Sequence, residues 1–146
     1  MHLLKYQGVI QYAQLVAEML ASRLPGSPLV PIPRALSRRL KYGVDPALLI
    51  AREVSARNGQ PVIGALSPPI HTRRRAGGDH HRPVAPFRVR EQPRTPVILI
   101  DDVVTTGRTI LSAVGALGPE LVALAAAANV VPEGTSLCQH HSSQHR

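Results

Sequence analysis

The chain has a single cysteine, Cys138, no tryptophan, one phenylalanine and three tyrosines. One thiol excludes an internal disulfide framework and any zinc cluster built from cysteines, and it suits a reducing compartment. With aromatics at 3% of residues and Tyr6, Tyr12, Tyr42 and Phe87 widely scattered, the chain lacks a stacking platform for single-stranded nucleic acid. Its core must come from Leu, Val, Ile and Ala, and a hydrophobic content of 44% over 146 residues suffices for one small domain. Long apolar runs are also missing. The longest, residues 121–131, is broken by Asn129 and too short to cross a bilayer, so no membrane insertion is expected. Residues 1–8 have no basic region leading into an unbroken apolar core, and Glu18 and Arg23 interrupt the next apolar segment. No signal peptide is therefore expected, and a cytoplasmic location is. Acids are scarce, nine against 17 Lys and Arg, for a net charge of +8. Such an excess suits nucleic acid or a ligand carrying several phosphates. Most of it lies in residues 67–96, where Arg73, Arg74, Arg75, Arg82, Arg88, Arg90 and Arg94 face only Asp79 and Glu91. With no stacking platform and no recognition-helix unit, direct DNA binding is not expected.

Against this scarcity of acids, two stand side by side in Val97-Ile98-Leu99-Ile100-Asp101-Asp102-Val103-Val104-Thr105-Thr106-Gly107-Arg108-Thr109. Four aliphatic residues without alternation describe a parallel strand covered on both faces, with Asp101 and Asp102 at its carboxyl end. Thr105-Thr106-Gly107 then supplies hydroxyls, backbone N–H groups and a residue without Cβ. The apolar run over residues 110–117 reads as a helix ending at Gly118-Pro119, and a phosphate can sit at its N-terminus. Two carboxylates beside a phosphate cost Coulomb energy unless they face sugar hydroxyls or a divalent cation, and a sugar phosphate meets both conditions. The competing reading is a buried strand whose Asp pair merely caps the next helix.

Elsewhere, residues 11–24 place Leu15, Val16, Met19 and Leu20 on one face of an amphipathic helix closed by Pro25-Gly26. A short strand is expected over residues 28–32, its prolines favouring an edge position or an immediate loop. Asp45 can cap a second helix through Ala47, Leu48, Leu49, Ala51, Val54 and Ser55, with Asn58-Gly59 as its stop. Residues 62–66 and 87–89 read as short strands. Residues 121–131 read as a further strand, with helix as a competitor because of the alanine run. Residues 67–86, rich in Pro, Arg, His and Gly, read as a mobile basic loop, and residues 133–146 as a disordered His-rich tail. Strands alternating with helices predict one α/β domain over residues 1–132, a Rossmann-like parallel sheet flanked by helices, with ligands bound beyond the carboxyl ends of its strands.

Residues 97–109 closely resemble the phosphoribosyl pyrophosphate (PRPP) signature of type I phosphoribosyltransferases. Within that family the chain is similar to the ComF branch, the competence-associated relatives, over about residues 4–131. The marks are Lys5-Tyr6-Gln7-Gly8, Val30-Pro31-Ile32-Pro33 ahead of a basic segment, Ala47-Leu48-Leu49-Ile50-Ala51-Arg52, and a basic loop leading to Phe87. The chain lacks the N-terminal four-cysteine zinc module of many ComF proteins. Where the family commonly shows Arg-Gly-Phe-Asn-Gln, it has Tyr42-Gly43-Val44-Asp45-Pro46.

The resemblance implies the type I phosphoribosyltransferase fold. It implies that Asp101 and Asp102 hold ribose hydroxyls, and that Thr105, Thr106, Gly107 and Thr109 bind the 5′-phosphate. Arg108 can add a charge-assisted contact or point to solvent. Arg34 follows the loop where the family binds pyrophosphate, which makes it a candidate catalytic residue beside Asp101 and Asp102. Its other reading is a surface Arg after a proline turn. Arg73, Arg74 and Arg75 belong to the loop that in related enzymes closes over PRPP, or simply to a disordered basic segment. Arg38, Arg39 and Lys41 have helix-like spacing that also suits a solvated face. His71, His80 and His81 have no carboxylate or Cys at ligand spacing, and Cys138, His140, His141 and His145 belong to the tail, so no metal site from protein side chains is expected. Mg²⁺ is expected to come with PRPP. Two functions share these features: transfer of the phosphoribosyl group to an unknown nitrogenous acceptor with release of pyrophosphate, and non-catalytic PRPP or nucleotide binding in DNA uptake. A homodimer is compatible with either.

Overall fold

The computed structural model describes residues 2–35, 43–68, 87–104 and 106–128. In chain order the elements are α1 (His2–Ala21), β1 (Leu29–Pro31), α2 (Pro46–Asn58), β2 (Leu66–Ser67), β3 (Arg88–Val89), β4 (Val97–Val103), α3 (Arg108–Leu117), a 3-10 turn (Pro119–Leu121) and β5 (Val122–Ala128). Thr105, Arg38, Arg39, Lys41, the expected loop with Arg73, Arg74 and Arg75, the histidines His71, His80 and His81, and the His-rich tail lie outside the described residues.

The main sheet is parallel, in the order β1-β4-β5, with β4 in the middle. Its aliphatic run explains that place. Val97, Ile98, Leu99 and Ile100 are all fully buried, and successive side chains enter opposite cores. Ile98 and Ile100 join Leu29 against α1 and α2, through Ala13, Val16, Ala17, Ile50, Ala51 and Val54. Val97 and Leu99 join Val30 and Ile32 against Ala113 and Leu117 of α3 and against Ala65, Leu66 and Phe87. The sheet is thus covered on both faces, which is why its central strand carries no polar alternation.

The prolines of β1 fit its hydrogen-bonding pattern. Ile32 N–H donates to Ile100 C=O at 2.8 Å, toward β4, whereas Leu29 N–H donates outward to Pro61 C=O at 2.8 Å. Pro31 has the same parity as Leu29, so its missing N–H lies on the outer side and costs the ladder with β4 nothing. On that outer side the contact with the following segment is a single parallel bridge, Leu29 to Val62.

Several expectations are corrected. The first helix begins at His2 and ends at Ala21 rather than spanning residues 11–24. Its buried stripe is Ala13, Val16, Ala17 and, partly, Leu20, while Leu15 and Met19 are 59% and 54% exposed. Alanines at i and i+4 let α1 approach α2 closely, so the small residues, and not the larger aliphatics Leu15 and Met19, face the core. No strand spans residues 62–66. Leu66–Ser67 pairs antiparallel with Arg88–Val89 in a separate two-stranded sheet. For residues 121–131 the strand wins over the helix, as Val122–Ala128, because parallel pairing with β4 overrides the helix propensity of the alanines. No helix among the described residues is long and apolar enough to cross a membrane.

Candidate functional site

The carboxyl end of the sheet gathers four elements. β4 runs three residues beyond its aliphatic core and carries Asp101 and Asp102 there. The loop after β1 brings Arg34, the entry to α2 brings Asp45, and α1 contributes Tyr12.

Arg34 and Asp102 form an ion pair, Nη2 on Oδ2, with side chains 31% and 16% exposed. The same arginine is held at its backbone, where its N–H donates to Asp45 Oδ2 at 3.3 Å. Asp45 occupies the N-cap position of α2 and its carbonyl accepts the Leu49 N–H at 3.1 Å, but its side chain does not cap the helix as the sequence suggests. The carboxylate turns to the Arg34 loop instead. Its other oxygen, Oδ1, is buried without a hydrogen-bond partner among the described residues. The Tyr12 hydroxyl donates to the Asp102 carbonyl at 3.1 Å, and burial together with the charge of Asp102 raises the phenol's pKa.

Asp101 is the buried member of the acid pair, 7% exposed. Its Oδ1 accepts the Asp102 N–H at 2.8 Å. Burial, followed by side-chain hydrogen bonding with Asp102, raises its pKa from 3.8 to about 6, although the Asp102 N–H and the charge of Arg34 act in the opposite sense. The two carboxylates are thus differently placed: Asp101 is drawn toward the neutral form by burial, and Asp102 has a cation beside it.

After β4 the chain turns through Thr106 and Gly107 into α3. Gly107 is the N-cap with φ +70°, a left-handed conformation, and contributes no side-chain hydrogen bond to the helix end. A Cβ at this glycine would meet no atom of the protein within 4 Å, so within the chain itself it is the left-handed backbone conformation that favours glycine here. Thr106, Arg108 and Thr109 are exposed around this helix entry. With the positive end of the helix dipole they form the kind of terminus that accepts a phosphate.

Of the residues expected from the sequence, Asp101, Asp102 and Arg34 meet at one strand end, and Thr106, Gly107, Arg108 and Thr109 follow directly in the chain. Arg34, which the resemblance sets beside a pyrophosphate, forms an ion pair with Asp102. Two members went unread: Tyr12 was one scattered aromatic, and Asp45 was a helix cap. Only the register of α1 against β4 could reveal the first. For Asp45 no local signal was available, because an Asp ahead of Pro46 is equally the pattern of an ordinary N-cap. Among the described residues, no three His, Cys, Asp or Glu side chains come together in a way that could hold a metal ion.

No protein-family model and no curated protein match the sequence. Solved structures do match. One is a hypoxanthine phosphoribosyltransferase from Staphylococcus aureus, 14% identical, with a TM-score of 0.41 over 85% of this chain and 62% of that one. The chain therefore spans about three-fifths of that protein's length.

Proposed function

We propose that the chain binds PRPP and transfers its 5-phosphoribosyl group to a nitrogenous acceptor, releasing pyrophosphate, as a phosphoribosyltransferase of the ComF type. The observation that carries this reading is the order of chemistry along residues 97–109. A doubly buried parallel strand ends in Asp101 and Asp102, and Thr106 and Gly107 lead at once into a helix N-terminus. Carboxylates suited to vicinal hydroxyls and a helix entry suited to a phosphate thus follow one another within a few residues of chain, the two kinds of group that a ribose 5-phosphate presents partners for.

In the reaction the acceptor nitrogen forms a bond to the ribose C1 while the bond from C1 to the pyrophosphate oxygen breaks, and that oxygen keeps the electron pair. No protein nucleophile is needed. Asp101 and Asp102 would orient the ribose through its hydroxyls, and the helix entry would anchor the 5′-phosphate. Arg34 would face the departing pyrophosphate, where negative charge develops. Mg²⁺ bound with PRPP would neutralise the pyrophosphate. Two carboxylates at one strand end fit a cation carried mainly by ligand oxygens, with Asp101 and Asp102 as the protein's own oxygens toward it.

The second reading is a non-catalytic PRPP or nucleotide sensor in DNA uptake, favoured by Tyr42-Gly43-Val44-Asp45-Pro46 in place of the family's Arg-Gly-Phe-Asn-Gln. Calorimetric titration of PRPP with Mg²⁺ tests the site common to both. Micromolar binding that is lost in the Asp101→Asn/Asp102→Asn double variant supports it, and no heat with the wild type sinks it. Pyrophosphate release in the presence of candidate bases and amines then separates the enzyme from the sensor.

A further inference from the structure

Arg34 occupies the acid that the ribose hydroxyls are expected to need. From this we infer that the Arg34–Asp102 pair is a latch that makes the site selective for ligands carrying a pyrophosphate over ribose phosphates that lack one. The inference rests on the PRPP reading and deepens it.

Three observations carry it. The ion pair ties up an Asp102 oxygen in a side chain that is only 16% exposed. The Arg34 N–H donates to Asp45 Oδ2, so the guanidinium can leave Asp102 by side-chain rotation while the backbone of Arg34 keeps its own contact. Asp45 is itself buried, and among the described residues its only side-chain hydrogen bond is the one it accepts from the Arg34 N–H, so its carboxylate is committed to that backbone.

A ligand offering only hydroxyls must replace an ion pair by hydrogen bonds in which the carboxylate alone is charged, and must leave the guanidinium without its anion. A ligand with a pyrophosphate supplies an anion of its own, and a guanidinium takes phosphate oxygens in a fork that matches its geometry. Arg34 then passes from Asp102 to the pyrophosphate, and the freed Asp102 accepts the ribose hydroxyls. At the arginine one anion replaces another, while the freed Asp102 carboxylate exchanges its cation for the ribose hydroxyls that donate to it. Once pyrophosphate has left, the arginine returns to Asp102 and disfavours any ribose monophosphate still in the site.

The test compares PRPP and ribose 5-phosphate, each with Mg²⁺, in wild type and in Arg34→Gln. The variant is expected to bind PRPP more weakly and ribose 5-phosphate more tightly, each by about tenfold, the scale of a hydrogen bond to a charged group. Tightening toward ribose 5-phosphate is the distinguishing readout, because loss of a simple pyrophosphate contact leaves that affinity unchanged. Arg34→Lys keeps the charge without the fork and is expected to fall between the two. If Arg34→Gln does not fold, Asp45→Ala, which unpins the Arg34 backbone, is expected to shift both affinities in the same directions by less. PRPP binding that weakens while ribose 5-phosphate binding stays constant or weakens overturns the latch and leaves the PRPP reading standing. Absence of PRPP binding by the wild type overturns both.

Discussion

Arg34 and Asp102 are 68 residues apart in the chain, yet the guanidinium of one lies on the carboxylate of the other, joining the loop after β1 to the end of β4. The pair is only partly screened from water, so its value is modest and its geometry matters more than its strength. A double-mutant cycle of Arg34→Gln and Asp102→Asn, followed by urea unfolding, is expected to give a coupling of about 1 kcal/mol. Additive effects would mean that the pair contributes nothing to stability.

Asp101 makes stability depend on pH in an unusual direction. Its folded pKa, about 6, lies above the ordinary 3.8, so between these values the folded state holds a proton that the unfolded chain has released. Stability from this group is therefore full below about pH 4, falls as pH rises toward 6, and stays reduced above it. Asp101→Asn keeps an acceptor for the Asp102 N–H and removes the buried charge. Relative to wild type the variant is expected to gain on the order of 2–3 kcal/mol between pH 4 and pH 8. Denaturant unfolding at the two pH values measures this directly, and a gain independent of pH would contradict the burial of Asp101.

Arg34 also lowers the Asp101 pKa through its charge. In Arg34→Gln the Asp101 titration is expected to move further upward, which carbon-detected NMR of the side-chain carboxyl would follow.

Gly107 has φ +70° and open space around the position of an absent Cβ. Backbone strain alone therefore sets the cost of substitution. Gly107→Ala is expected to lose about 1–2 kcal/mol, Gly107→Asn less because asparagine tolerates the left-handed region, and Gly107→Val more because of its branched Cβ. Thermal unfolding gives the order, and equal losses for Asn and Val would show that contacts decide the cost.

Tyr12 ties α1 to the site by donating to the Asp102 carbonyl. Tyr12→Phe is expected to cost about 1 kcal/mol. Because the phenol's pKa is raised, it remains a donor well into the alkaline range, and the cost should be the same at pH 6 and pH 9. A cost that disappears by pH 9 would argue against this bond.

Local pattern was enough to read much of this molecule. An unbroken Val97 to Ile100 run can be satisfied only by apolar neighbours on both faces, so the central parallel strand was legible from four residues. The two acids, the Thr-Gly turn and the following helix were legible for the same reason, since each depends on near neighbours in the chain. The order β1-β4-β5 was not, because strand order is set by which crossovers bury both sheet faces. Nor was the buried stripe of α1, where Ala13 and Ala17 win over Leu15 and Met19 because α2 lies close enough to require small residues.

The sequence by itself thus determined the α/β class, the two carboxylates at a strand end and the turn that follows them, because hydrophobic periodicity and turn chemistry act over a few residues. Only the tertiary structure decided that Arg34 rests on Asp102, that Asp45 turns from its own helix to the Arg34 backbone, and that Tyr12 reaches β4. These contacts join segments separated by 11 to 90 residues. Such partners are chosen by the packing of helices on the sheet, which no local pattern encodes.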